Sequence, residues 1–140
     1  MSFDYKSVPV VSSISPPSKN LRCKSFLINI ATGSGFTTAT SYTVGYLAAG
    51  HQVVGGLLST AIAVSGGTVS AATLTVAVGG NNLFVTTSVF ATGNTTPNST
   101  GLLALGDTPT TSDVAITYTP TLTGSGATAG KMYLHIYYVE

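Results

Sequence analysis

Few residues in this chain have a type and spacing that could do chemistry. The imidazoles are His51 and His135, the acids downstream of the N-terminal region are Asp107, Asp113 and the C-terminal Glu140, and the single thiol is Cys23. General acid–base catalysis needs a titratable pair brought to a substrate, and the two histidines belong to separate segments. His51 follows Ala49-Gly50 and reads as a loop residue, whereas His135 lies between Tyr133 and Tyr137 in an alternating run. A structural or interface role is expected for each. Asp107 and Asp113 flank Thr108–Ser112; oxygen ligands suit Ca²⁺, but the spacing matches no calcium loop, and turn capping is the expected role.

Hydroxyls are abundant, 16 Ser and 23 Thr, yet no serine sits in a Gly-x-Ser-x-Gly elbow. Gly33-Ser34-Gly35 and Gly124-Ser125-Gly126 lack the Lys-Ser/Thr ending and the following helix of a phosphate loop, so both read as turns. A lone cysteine excludes an intrachain disulfide framework and any multi-cysteine metal site. Neither catalysis, a metal nor a cofactor is expected.

The elements that must position these residues are strands. At 140 residues the chain suits one domain. Phe26, Ile28 and Ile30 alternate with Leu27, Asn29 and Ala31; Tyr42, Val44 and Tyr46 alternate again; Leu74, Val76 and Val78 form an inward row. Gln52–Val64 is a longer extended run whose Gly55-Gly56 pair predicts a bulge or a close backbone approach. Gly79-Gly80-Asn81-Asn82 is a turn signal before Leu83–Phe90, residues 91–112 are irregular, and Val114, Ile116 and Tyr118 alternate before Pro120. In the last run Met132, Leu134, Ile136 and Tyr138 face one way and Tyr133, His135 and Tyr137 the other. Seven or eight short strands with no helical stripe predict an all-β fold, an antiparallel two-sheet sandwich with jelly-roll-like connectivity. The pattern leaves strand order open.

Charge is distributed unevenly. Charged residues are 6% of the chain, against about 25% in ordinary soluble proteins, and Ser25–Gly106 is a run of 82 residues without Asp, Glu, Lys or Arg. Residues 1–24 carry Asp4, Lys6, Lys19, Arg22 and Lys24 together with Pro9, Pro16 and Pro17. They read as an extended N-terminal arm ahead of a body spanning 25–140. Freely diffusing proteins keep apart through mixed surface charge; a body without it suits life inside an assembly. A net charge of +1, with no basic face on the body, gives no attraction to nucleic acid or to an anionic membrane. The start has neither the charge pattern nor the apolar run of a signal peptide, and Gly, Thr, Ser, His51 or Gln52 interrupts every apolar stretch. A soluble chain assembled in a reducing cytoplasm is expected, and the glycosylation-like Asn94-Thr95-Thr96 and Asn98-Ser99-Thr100 then carry no meaning.

Two features point to a partner. The arm is dotted with Phe3, Tyr5, Val8, Val10 and Val11 and carries Lys19, Arg22 and Lys24, so it can order against another surface. Tyr133, His135 and Tyr137 form a row opposite the core row of the last strand, and aromatics of this kind are enriched at interfaces; packing under a loop or against the other sheet is the competing expectation.

Over residues 25–140 the texture is similar to that of the small β-sandwich capsid decoration, or cement, proteins of tailed bacteriophages. The likeness lies in Val44-Gly45-Tyr46-Leu47-Ala48-Ala49-Gly50-His51-Gln52-Val53-Val54, in Ser65-Gly66-Gly67-Thr68-Val69-Ser70-Ala71-Ala72-Thr73-Leu74-Thr75-Val76, and in the ending Thr128-Ala129-Gly130 before the aromatic strand 131–138. The resemblance implies a non-enzymatic virion protein on the outer face of a phage head, bound to the major capsid protein and stabilising its lattice. It also implies a homo-oligomer, a trimer ahead of a dimer. The alternative in the same texture is a head-fibre or tail-fibre tip that binds a host surface receptor.

Overall fold

The computed structural model describes residues 20–33, 35–98, 101–102 and 109–140. Eight strands follow one another along the chain: β1 (Arg22–Asn29), β2 (Tyr42–Leu47), β3 (Gln52–Ser65), β4 (Ala71–Val78), β5 (Asn81–Ser88), β6 (Gly93–Thr95), β7 (Val114–Thr123) and β8 (Ala129–Val139). Helix among the described residues is confined to a 3₁₀ turn at Ile30–Thr32 and to Gly101–Leu102. The all-β expectation holds.

The strands form two four-stranded antiparallel sheets, ordered β1-β8-β3-β6 and β2-β7-β4-β5. The order follows from a folded ribbon: the first strand pairs with the eighth, the second with the seventh, the third with the sixth and the fourth with the fifth. Curling that ribbon brings β3 beside β8 and β4 beside β7 and closes the two sheets. This is the jelly-roll arrangement.

Between the sheets lie the inward rows. Met132, Leu134 and Ile136 of β8 are fully buried, as are Leu74, Val76 and Val78 of β4, with Leu47, Leu58 and Ile116 among their neighbours. No charged side chain is buried among the described residues; Thr60 is the polar exception. Alternation fails in β5, where Leu83 and Phe84 are consecutive and both buried. The register jumps there, Val76 facing Phe84 and Ala77 facing Asn82, and the extra residue of the bulge turns both side chains inward.

Glycines shape two of the connections. Gly79 and Gly80, both at positive φ (58° and 85°), make the two-residue loop between β4 and β5, the backbone a tight hairpin requires. The loop is shorter than the sequence signal, because Asn81 and Asn82 already belong to β5. In β3 the register shifts between Val53 and Gly55, the expected bulge. Gly56, one residue on, is buried where an added Cβ would lie 2.9 Å from the His135 carbonyl oxygen.

Two sequence boundaries move. The sheet begins at Arg22, so Arg22, Cys23 and Lys24, read as arm, are paired with β8 residues Tyr138, Tyr137 and Ile136. A basic, poorly alternating start hides this, because pairing to β8 needs backbone groups alone. The strand expected to stop before Pro120 runs on to Thr123. Its neighbour β2 reaches only Tyr42, which pairs with Tyr118, so Pro120 projects its backbone past the end of β2. There its carbonyl accepts from the Ala39 N–H at 2.9 Å, and the missing proline N–H leaves no ladder bond unmade.

Candidate interaction face

Because β8 lies between β1 and β3, its outward row sits in the middle of a sheet face. The register sets the neighbours. Tyr137 lies between Cys23 and Gly55, His135 between Ser25 and Leu57, Tyr133 between Leu27 and Ser59, and Lys131 between Asn29 and Ile62. Tyr133, His135 and Tyr137 are half-buried, while Leu27 and Ile62 are each 50% exposed. Among these positions Lys131 holds the only formal charge, and its Nζ lies 5.7 Å from the Tyr133 ring centroid, within cation–π range.

Local contacts hold the row flat. Gly55 leaves room for Tyr137, whose Cδ2 would lie 3.3 Å from a Cβ added there. His135 Nδ1 and Ser25 Oγ are hydrogen-bonded at 2.8 Å, and Cys23 Sγ lies 4.0 Å from the same nitrogen. A nucleophile–base pair needs a further group orienting the base. The flanking residues Cys23, Leu57, Tyr133 and Tyr137 bring no carboxylate to His135. The arrangement offers aromatic and aliphatic contact area with hydrogen-bonding edges.

The two basic candidates in the described residues already have partners. Arg22 Nε lies 2.6 Å from Glu140 Oε1, both side chains about half exposed, an ion pair of small energetic value. Lys24 donates to the Tyr46 carbonyl at 2.7 Å and sits 5.8 Å from the Tyr138 ring, tying β1 to β2 across the seam between the sheets. Phe3, Tyr5, Val8, Val10, Val11 and Lys19 lie outside the described residues. Sequence reasoning missed Leu27, Leu57 and Ile62 as members of the face. Their signal was a strand with apolar residues on both alternating sets, as in Phe26-Leu27-Ile28.

His51 and Asp113 are held by structure. His51 stacks on Tyr138, ring centroids 4.7 Å apart at 24°. Asp113 Oδ1 accepts from the Ala49 N–H at 2.9 Å, as a turn cap. No three His, Cys, Asp or Glu side chains among the described residues gather to hold a metal ion. A groove of about 490 Å³ opens at the seam, lined by Phe26, Tyr42, Val44 and Tyr118. Its phenols are engaged: Tyr118 donates to the Gly35 carbonyl at 2.6 Å, and Tyr42 accepts from the Thr37 N–H at 3.0 Å. Burial, with the neighbouring Tyr42 adding to it, pushes the Tyr118 hydroxyl above its ordinary value, whereas the hydrogen bonds from Thr37 draw Tyr42 below it.

No known family model matches the sequence, and no curated protein matches it. Solved structures do match in fold. A chain of the capsid asymmetric unit of cyanophage Pam1 superposes with a TM-score of 0.65 at 17% identity, covering 89% of this chain and 88% of that one. A chain of the capsid of Ralstonia phage GP4 superposes with a TM-score of 0.64, also at 17% identity, covering 90% and 88%.

Proposed function

We propose that this chain is a structural, non-enzymatic virion protein of a tailed bacteriophage, a decoration or cement protein seated on the outer face of the head against the major capsid protein. The observation that carries the proposal is the fold likeness, over about nine-tenths of each chain, to chains taken from two phage capsid structures. The surface agrees with it. A body with no charged residue from Ser25 to Gly106 gains little from facing water alone and loses little on being packed among neighbours. The face built on Tyr133, His135 and Tyr137 and the arm residues Phe3, Tyr5, Val8, Val10, Val11 and Lys19 are the surfaces this reading assigns to partners; Arg22 and Lys24 serve the sheet edge instead.

The test is the copy number and position of the chain on purified particles, from quantitative mass spectrometry and a cryo-EM map. The reading expects copies in proportion to the shell protein, with density on the outside of the lattice. A few copies at a vertex or tail tip would replace it with a receptor-binding fibre tip, and particles without the chain would overturn it.

A further inference from the structure

The outer face of β1-β8-β3 and the segment ahead of the sandwich fit one another in size and chemistry. From Tyr137 to Lys131 the face spans seven residues of β8, and three strands make its width. At about 3.3 Å per residue and 4.8 Å per strand, this is roughly 23 by 14 Å, on the order of 300 Å². A stable interface needs about 800 Å² from each partner. Two such faces laid flat on one another fall well short. A covering that also adds contacts of its own beyond the face is required.

The sequence before β1 supplies one. Phe3–Val11 contains Phe3, Tyr5, Val8, Val10 and Val11 within nine residues, which span about 30 Å when extended, enough to cross the face from end to end. The ten residues Ser12–Leu21 separate them from β1, and they include Pro16-Pro17. Fully extended, ten residues would reach about 33 Å. The chain enters β1 at Arg22, opposite Tyr138, at the Tyr137 end of the face. An extended linker doubled back over its own sheet would occupy the full length of the face and carry Phe3–Val11 past it. On a second copy the same linker spans the gap between bodies, and the apolar residues meet the aromatic row.

We infer that Phe3–Val11 of one copy docks on the outer face of β1-β8-β3 of a second copy, so that the copies are linked by exchanged arms. Leu27 and Ile62, the most exposed apolar side chains of that face, and the Tyr133 and Tyr137 rings form its floor. The inference concerns the purified protein and stands or falls apart from the virion reading, because its test contains no particles.

The experiment is sedimentation of the full chain, of a chain lacking residues 1–11, and of a face variant carrying Leu27→Lys and Ile62→Lys. Both substituted side chains are half exposed, so the circular-dichroism spectrum should remain that of the parent; Ser59→Arg, at the same face, serves as a second face variant. The full chain is expected to self-associate, and each altered chain to do so about tenfold more weakly or worse. Mixed together, the truncated chain keeps a face and the face variant keeps an arm, so one of the two arm–face contacts is restored and the mixture should associate more strongly than either altered chain alone, though less than the full chain. A full chain that stays monomeric, a truncation that leaves association unchanged, or a mixture no stronger than its separate parts would each overturn the inference.

Discussion

The outer face of β1-β8-β3 and the outer face of β7-β4 cover one dry interior and differ in composition. On the β1-β8-β3 side the register lines up Leu27, Leu57, Ile62, Tyr133, His135 and Tyr137. On the β7-β4 side it lines up Thr73 with Thr121, Thr75 with Thr119 and Ala77 with Thr117, with Thr43 of β2 beyond. Threonine fits the pleat and offers water a hydroxyl at each step. Tyrosine and leucine offer contact area whose exposure to water is unfavourable. Neither face depends on charge, so the contrast is not between a solvated side and a neutral side. It separates a threonine surface, with exposed Tyr46 and Val85 on its flanking strands β2 and β5, from a face whose centre is aromatic and aliphatic.

Substitutions in the interior should show the largest effects and no difference between the sheets. Leu134→Ala in β8 and Leu74→Ala in β4 both remove fully buried side chains, and each should cost about 2–5 kcal/mol in urea unfolding. A large inequality would mean that one sheet alone carries the core. Next come the adjacent glycines of β3. Gly56→Ala drives a Cβ to 2.9 Å from a backbone oxygen that cannot yield, whereas Gly55→Ala meets a Tyr137 ring at 3.3 Å that can. The inward change should cost about 1–3 kcal/mol and the outward one less, with any loss of association confined to Gly55→Ala.

Tyr118 gives a smaller, pH-dependent effect. Tyr118→Phe loses the hydrogen bond to Gly35, about 1 kcal/mol near neutral pH. Burial raises the native phenol above the usual value of 10.0, so above that pH the unfolded chain releases its proton while the native chain keeps it. The Tyr118 contribution should hold below pH 10 and fall as pH rises from there to the native pKa, then level off. Tyr42, shifted the other way, contributes a rise that is complete by about pH 10, before that fall begins. Urea midpoints measured across this range should lose part of their alkaline decline in Tyr118→Phe. Exposed positions come last. Leu27→Thr and Thr119→Ser should each change stability by no more than about 0.5 kcal/mol, yet Leu27→Thr alone should weaken self-association in sedimentation. Equal behaviour of the two would remove the distinction between the faces.

Much of this was legible because strand alternation is a local property. Met132-Leu134-Ile136-Tyr138 against Tyr133-His135-Tyr137 specifies two faces of one strand without knowledge of any other, and Gly79-Gly80 specifies its hairpin by backbone freedom. Three residues are too few to carry a period, so β6 (Gly93–Thr95) passed as loop. Pro120 read as a stop because its effect depends on where β2 ends, and Arg22–Lys24 read as arm because backbone pairing leaves no mark on side chains.

The chain by itself determined the all-β class, the inward rows, the Gly79-Gly80 hairpin, the bulge at Gly55 and an almost uncharged body, since each depends on residue type and on neighbours within a few positions. Only the tertiary structure decided that β8 lies between β1 and β3, that Tyr137 rests against Gly55 and Cys23, and that Arg22 and Lys24 are occupied at the edge of their own sheet. Those pairings join residues up to 116 positions apart, as between Arg22 and Tyr138. Their register is set by which rows must be buried together, a condition that no single strand contains.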